Sequence, residues 1–258
     1  MKLDFVSSVV ARITADAAVL SHIESTLDAG LGQERQQLPI YARRGSQVLE
    51  VLSGAAVWLY HQRLLDGDLS GGQGPGVVHP EIIKDLALRD HQQIAVYKAL
   101  TTWMGRGILQ LPPGAGKTRI CGAIAGASAL ERWLYLVPNE ELARQTEDAV
   151  GEAVSRAGSQ LVCRSFGSVT QLELEEAEGL LIDEVHTLGA KGRALVVAGA
   201  SNAEMRIGLS ATALDRQDQG NSLVVGLTGP IIFSLGCEVL VDRGVLAKGH
   251  VTRIAVPY

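Results

Sequence analysis

The feature that most constrains this chain is the run Leu111-Pro112-Pro113-Gly114-Ala115-Gly116-Lys117-Thr118. It follows an apolar, β-rich stretch, Gly107-Ile108-Leu109-Gln110-Leu111, and precedes the helix-forming run Arg119 to Leu130. A glycine-rich turn between strand and helix lets backbone N–H groups close around phosphate oxygens, with the positive end of the helix dipole behind them. Pro113, Gly114, Ala115 and Gly116 then line the cradle, Lys117 reaches the outer phosphates of a nucleotide, and the Thr118 hydroxyl ligates Mg²⁺. The strict pattern has Gly where this chain has Leu111, but the Gly-x-Gly-Lys-Thr end that touches phosphate is intact. The bland alternative, a glycine turn with an incidental lysine, explains neither flank.

A phosphate loop of this kind requires an acidic strand beside it, and Leu180-Leu181-Ile182-Asp183-Glu184-Val185-His186 supplies one. At the C-terminal edge of a parallel sheet, Asp183 would hold the Mg²⁺ while Glu184 orients and deprotonates the attacking water. On its own, Asp-Glu after a strand is often a solvated strand end; paired with the loop it makes Lys117, Asp183 and Glu184 a catalytic set. Two more β-rich runs, Trp133 to Val137 and Arg206 to Leu209, alternate with longer helical stretches. Continuous apolar strands separated by helices predict a mainly parallel sheet between helices, an α/β fold.

The 258 residues suffice for one large or two small domains. Residues 81–258 carry the phosphate-loop domain. Residues 67–80 are rich in Gly and Pro and read as a flexible linker. Residues 1–66 read as a small N-terminal α+β domain, possessed of no motif, in which Ser46 to Leu65 has the composition of a helix. The linker contains Leu69-Ser70-Gly71-Gly72-Gln73, which spells the signature of ABC-type ATPases. In those enzymes the signature lies between the phosphate loop and the acidic strand and opens a helix, whereas here it precedes the loop and runs into Gly-Pro-Gly. It is a chance word in a linker.

Three scattered cysteines, Cys121, Cys163 and Cys237, make neither a disulfide framework nor a zinc site and fit a reducing compartment. No contiguous apolar stretch reads as a signal peptide or a membrane span, so a cytoplasmic protein of a bacterial or phage-infected cell is expected, with no membrane partner. The net charge of -5 restricts any nucleic-acid site to a local patch.

From Leu86 onward the motifs, in order, resemble those of superfamily 2 helicases, and among them the XPB-like DNA helicases and translocases. Leu88-Arg89-Asp90-His91-Gln92 resembles the Leu-Arg-x-x-Gln element, which implies that Gln92 reads the adenine edge and Arg89 stacks on the base. Leu136-Val137-Pro138-Asn139-Glu140-Glu141-Leu142-Ala143-Arg144-Gln145 is similar to motif Ia, implying backbone contacts to DNA from Pro138, Asn139, Arg144 and Gln145. Asp-Glu-Val-His is the acidic box of XPB-like proteins, and Ser210-Ala211-Thr212 resembles motif III, which couples the ATP and DNA sites. His186 would meet Ser210 or Thr212 across the two strand ends. Arg216-Gln217-Asp218 resembles an Arg-Glu-Asp triplet used on DNA, with Gln217 in place of Glu. Gly226 to Ile232 and Glu238 to Lys248 match the family's Gly-Pro turn and closing helix.

The resemblance implies a RecA-like domain, ATP and Mg²⁺ as cofactors, duplex or branched DNA as partner, and a DNA-engaging role for residues 1–66, where Tyr41, Arg43 and Arg44 could touch phosphates, with a solvated turn as the alternative. It also implies a second RecA-like domain, or another copy of the chain, to supply an arginine finger worth about 10³ to 10⁵ in rate. The chain is therefore expected to be the N-terminal half of an ATP-dependent DNA helicase or double-strand translocase, weak in turnover alone. The alternative is a nucleotide-binding regulatory module without turnover.

Overall fold

The computed structural model describes residues 2–5, 9–31, 40–65, 76–215 and 220–248. Near the N-terminus, β1 (Lys2–Phe5), β2 (Val10–Thr14), α1 (Ala17–Leu31), β3 (Tyr41–Arg43), β4 (Val48–Leu52) and α2 (Ser53–His61) follow one another. The four strands form an antiparallel sheet in the order β1-β2-β4-β3. The run Ser46 to Leu65, expected as a single helix, is divided between β4 and α2. Strand pairing decides this: Leu49 and Val51 are buried, while Glu50 between them bridges Arg12 at 2.9 Å and Arg44 at 2.8 Å. That alternation is the period of a strand, and one of its two partner strands, β2, lies far away in sequence.

The second part contains α3 (Glu81–Asp85), α4 (Asp90–Thr101), β5 (Arg106–Gln110), α5 (Lys117–Ala127), β6 (Arg132–Val137), α6 (Glu140–Arg156) and β7 (Gln160–Ser165). It continues with α7 (Gln171–Glu176), β8 (Gly179–Ile182), α8 (Lys191–Gly199), β9 (Met205–Ser210), α9 (Asn221–Thr228), β10 (Ile231–Ser234) and α10 (Cys237–Asp242). Six strands form one parallel sheet in the order β10-β5-β9-β8-β6-β7. The four strands read from the sequence are β5, β6, β8 and β9, the centre of the sheet; the two it missed, β7 and β10, are its edges. The fold is the expected α/β class, a parallel sheet between helices with a small antiparallel sheet added.

Alternation along the strands assigns the two faces. Trp133, Tyr135 and Val137 join Leu109, Leu181, Ile207 and Leu209 in a core with residues of α4, α5 and α6. Leu134 and Leu136 join Ile108, Leu180 and Ile182 in a second core. That second core is continuous with Ala11, Ile13, Leu49, Val51 and Ala55 of the N-terminal residues and with Leu223 to Leu227 of α9. The contact between α2 and α9 is close: a Cβ on Gly54 would lie 2.2 Å from the Val225 carbonyl oxygen, and one on Gly226 2.7 Å from Leu52 Cδ1.

Two local devices complete the frame. The outer amides of edge strand β7 are covered by α6, Cys163 N–H donating to Glu147 Oε1 at 2.8 Å and Ser165 N–H to Glu140 Oε1 at 3.2 Å. The buried Arg206 guanidinium donates to the Val197 carbonyl at 2.8 Å and to the Ala200 carbonyl, capping the end of α8. Burial lowers its pKa to about 10.

Within the expected linker, Leu69 to Gln73 lies outside the described residues. Its described end is tied down: Gly76 N–H donates to the Leu100 carbonyl at 3.0 Å and Val78 N–H to the Ala127 carbonyl at 2.7 Å. Among the described residues no helix is long and apolar enough to cross a membrane.

Candidate nucleotide site

The phosphate loop occupies the turn from β5 into α5, where two glycines carry left-handed backbone: Gly114 at φ 79 and Gly116 at φ 84. Neither position leaves room for a side chain. A Cβ at Gly114 would meet Leu246 Cδ2 at 2.6 Å, and one at Gly116 would meet Gln92 Nε2 at 2.2 Å. Lys117 and Thr118 begin α5, so the loop amides and the helix N-terminus share one concavity.

The acidic strand ends beside it. Asp183 N–H donates to the Leu136 carbonyl at 2.8 Å, fixing the end of β8 against β6. The next residue, Glu184, is left-handed at φ 46, ψ 50, which breaks the strand and starts the short 3-10 turn Val185–Gly189. A non-glycine residue there stores about 1–2 kcal/mol. Lys117 Nζ donates to Glu184 Oε1 at 3.0 Å and lies 3.8 Å from Asp183 Oδ1. The structure thus brings Lys117 to Asp183 and Glu184, an adjacent pair 66 and 67 residues further along the chain. Burial pushes the Asp183 carboxyl up, against the pull of the Lys117 ammonium.

The residues fit a hard divalent cation. Asp183 Oδ1 is buried without a hydrogen-bond partner, the condition of an oxygen awaiting a ligand. No group of three or more His, Cys, Asp or Glu that could hold a metal stands among the described residues. What they offer is the Asp183 carboxylate and, next to Lys117 in the chain, the Thr118 hydroxyl, the few oxygens that Mg²⁺ takes when phosphate and water complete its shell.

Behind Glu184, His186 Nδ1 lies 2.8 Å from Ser210 Oγ, and Ser210 Oγ lies 3.4 Å from Glu184 Oε2. Of the two hydroxyls expected to meet His186, it is the fully buried Ser210 that does so; Thr212 is exposed and contributes its N–H to Ser210 Oγ at 3.2 Å. At the other end of the loop, Gln92 is buried at the start of α4. Its Oε1 accepts from Arg89 N–H at 2.9 Å, and its Nε2 donates to the Ala115 carbonyl at 2.9 Å. The Arg89 side chain is exposed.

The family model described as type III restriction enzyme, res subunit, matches residues 85–168. The DNA 3'-5' translocase XPB2 of Sulfurisphaera tokodaii is 29% identical over 191 residues, covering 68% of this chain and 42% of the relative. The chain thus spans about two fifths of that relative's length. The UvsW helicase of bacteriophage T4 shares the fold, with a TM-score of 0.65 at 16% identity over 89% of this chain and 98% of that one. A second T4 UvsW structure gives 0.60, with 56% of its chain covered.

The chain carries a superfamily 2 helicase-like domain.

On this helicase-like domain the residues expected to meet DNA are placed less decisively. Pro138 ends β6, and Asn139 caps α6, its Oδ1 accepting from Leu142 N–H at 2.9 Å. Arg144 and Gln145 both donate to Glu141, at 2.7 and 2.8 Å, on an exposed face. Glu140 is bonded to Ser168 Oγ across the loop after β7. Arg216 and Asp218 lie outside the described residues. In the N-terminal region, Tyr41 donates to Asp28 at 2.8 Å and Arg43 pairs with Glu24 at 3.2 Å, so both are engaged within the fold. Sequence reasoning passed over His91, whose ring nitrogen Nε2 lies 3.2 Å from the Ala115 carbonyl. Nothing in a buried histidine inside a short element marks it beforehand.

Proposed function

We propose that the chain is the ATP-binding half of an XPB-like DNA helicase or double-strand translocase, divided into residues 1–66, a linker at 67–80 and a first RecA-like domain at 81–258. The observation that carries this reading is the convergence of Lys117 on Glu184 at 3.0 Å and Asp183 at 3.8 Å, directly before the phosphate loop. Lys117 lies where phosphate oxygens can take over its hydrogen bonds and leave both acids to their own tasks.

The loop amides of Gly114 to Thr118 bind and orient the phosphates, and Asp183 with Thr118 would hold Mg²⁺, which when bound would neutralise charge on the phosphates. Glu184, freed from Lys117, accepts the proton of the attacking water at a carboxylate oxygen. Ser210 and His186 hold Glu184 Oε2 and carry its position to the strand end of motif III. Gln92 and Arg89 are assigned to the base, and Pro138, Asn139, Arg144, Gln145, Arg216 and Asp218 to the DNA backbone. A second RecA-like domain, or a second copy, supplies the arginine that completes the site.

The test is steady-state ATP hydrolysis by the 258-residue chain, with and without duplex DNA, against Lys117→Ala. Binding of ATP with DNA-stimulated turnover is the expected result when a second domain or copy is present. Binding without turnover under those conditions supports the regulatory reading instead, and no binding at all overturns both.

A further inference from the structure

The Ala115 carbonyl receives two side chains from consecutive residues of α4. His91 Nε2 approaches it at 3.2 Å and Gln92 Nε2 at 2.9 Å, and both side chains are 3% exposed. A carbonyl oxygen only accepts, so His91 Nε2 carries the hydrogen and donates it. The peptide joining Ala115 to Gly116 is planar and trans, so its C=O and N–H point in opposite directions. Holding the oxygen against α4 therefore turns the Gly116 N–H away from α4, toward the concave side of the loop where phosphate is cradled.

We propose that His91 is a positioning residue that sets the phosphate cradle by pinning the Ala115 carbonyl independently of Gln92. The inference rests on the nucleotide reading above. Its chemical content is a division of labour. Gln92 has already committed one amide hydrogen to Ala115 and its oxygen to Arg89 N–H, and a base edge would compete for that amide. His91 keeps the peptide oriented when Gln92 turns to a base. A merely structural histidine would instead fill space, and an apolar ring of similar size would replace it.

The experiment uses calorimetric titration of the 258-residue chain with Mg-ATP, Mg-GTP and tripolyphosphate, alongside ligand-free thermal unfolding. Loss of one buried hydrogen bond predicts that His91→Phe weakens all three ligands by the same factor, about three- to tenfold. His91→Gln, whose amide nitrogen stands the same number of bonds from Cα as Nε2, restores them. Gln92→Ala as a control should alter the ATP-to-GTP ratio more than it alters tripolyphosphate binding. Wild-type affinity in His91→Phe, failure of His91→Gln to rescue, or a loss confined to ATP would each overturn the proposal. If His91→Phe does not fold, His91→Asn, polar but one bond too short, replaces it with the same expected loss, and wild-type affinity there overturns the proposal too. Absence of binding by the unsubstituted chain is a different result: it overturns the nucleotide reading itself, and the brace with it.

Discussion

The two faces of the six-stranded sheet are covered in different ways. The face beneath the phosphate loop is packed mainly by α4, α5 and α6, contributed by residues 90–156, with α3 and Leu240 of α10 at its margin, and its core takes in Leu111 and Ala115 of the loop itself. The opposite face takes its cover from both ends of the described chain, Ala11 to Leu65 on one side and α8 with α9 on the other. A face built from neighbouring segments can be tuned to a site by local sequence. A face assembled from distant segments serves first to hold the fold, and changes in the two should separate function from stability.

The largest expected effect lies on the site. Glu184→Gln removes the proton acceptor and should lower any ATP turnover by about 10² to 10⁴, while Mg-ATP binding stays near its original strength. Turnover at the unsubstituted rate would take the base away from Glu184. Next comes Lys117→Ala, which removes charge-assisted hydrogen bonds of about 1.5–3 kcal/mol to the phosphates. Mg-ATP affinity should fall about ten- to hundredfold in a direct titration. Its effect on ligand-free melting should be smaller than that of a change on the opposite face.

That change is Gly54→Val. Its Cβ would fall 2.2 Å from the Val225 carbonyl oxygen of α9 and 2.6 Å from the nitrogen of Gly229, which caps that helix, and these backbone atoms can yield only by moving the helix. Overpacking of this kind costs about 1–3 kcal/mol, read as a lower melting temperature. Nucleotide affinity measured well below that temperature should be unchanged. A parallel loss of affinity would mean that the two faces communicate, and the contrast drawn between them would fail.

The same contrast explains what the sequence reveals. The β5 turn, the Asp183 strand end and the Ser210 strand end are legible because each packs its chemistry into a few adjacent residues on a central strand. Strand β4 is not, because Val48–Leu52 becomes a strand only by pairing with β2 and β3, and the helix-like composition that follows it conceals it. Edge strand β7 mixes Gln160, Arg164 and Ser165 with its apolar residues, so the continuous-apolar signal of buried strands is missing, while β10 is apolar only over Ile231 to Phe233, too short a run after Gly229-Pro230 to stand out as a strand. The pairing of His91 with Ala115 joins residues 24 apart, and no spacing rule anticipates it.

The smallest expected effect concerns a surface belonging to neither core. Glu141 holds Arg144 at 2.7 Å and Gln145 at 2.8 Å, with the Arg144 and Glu141 side chains 69% and 59% exposed. An exposed pair of this kind contributes only about 0.2–1 kcal/mol, so Glu141→Gln should leave melting almost unmoved. If Arg144 and Gln145 meet a DNA backbone, the carboxylate acts against them twice, by occupying their donors and by repelling phosphate. Glu141→Gln should then strengthen duplex binding about two- to fivefold at low salt, and the gain should shrink as salt screens the lost charge. Fluorescence anisotropy across a salt series measures both. Weaker binding would reverse the reading, since it would mean that Glu141 aims Arg144 at the phosphate rather than withholding it. An effect that ignored salt would place the residue outside the DNA path altogether.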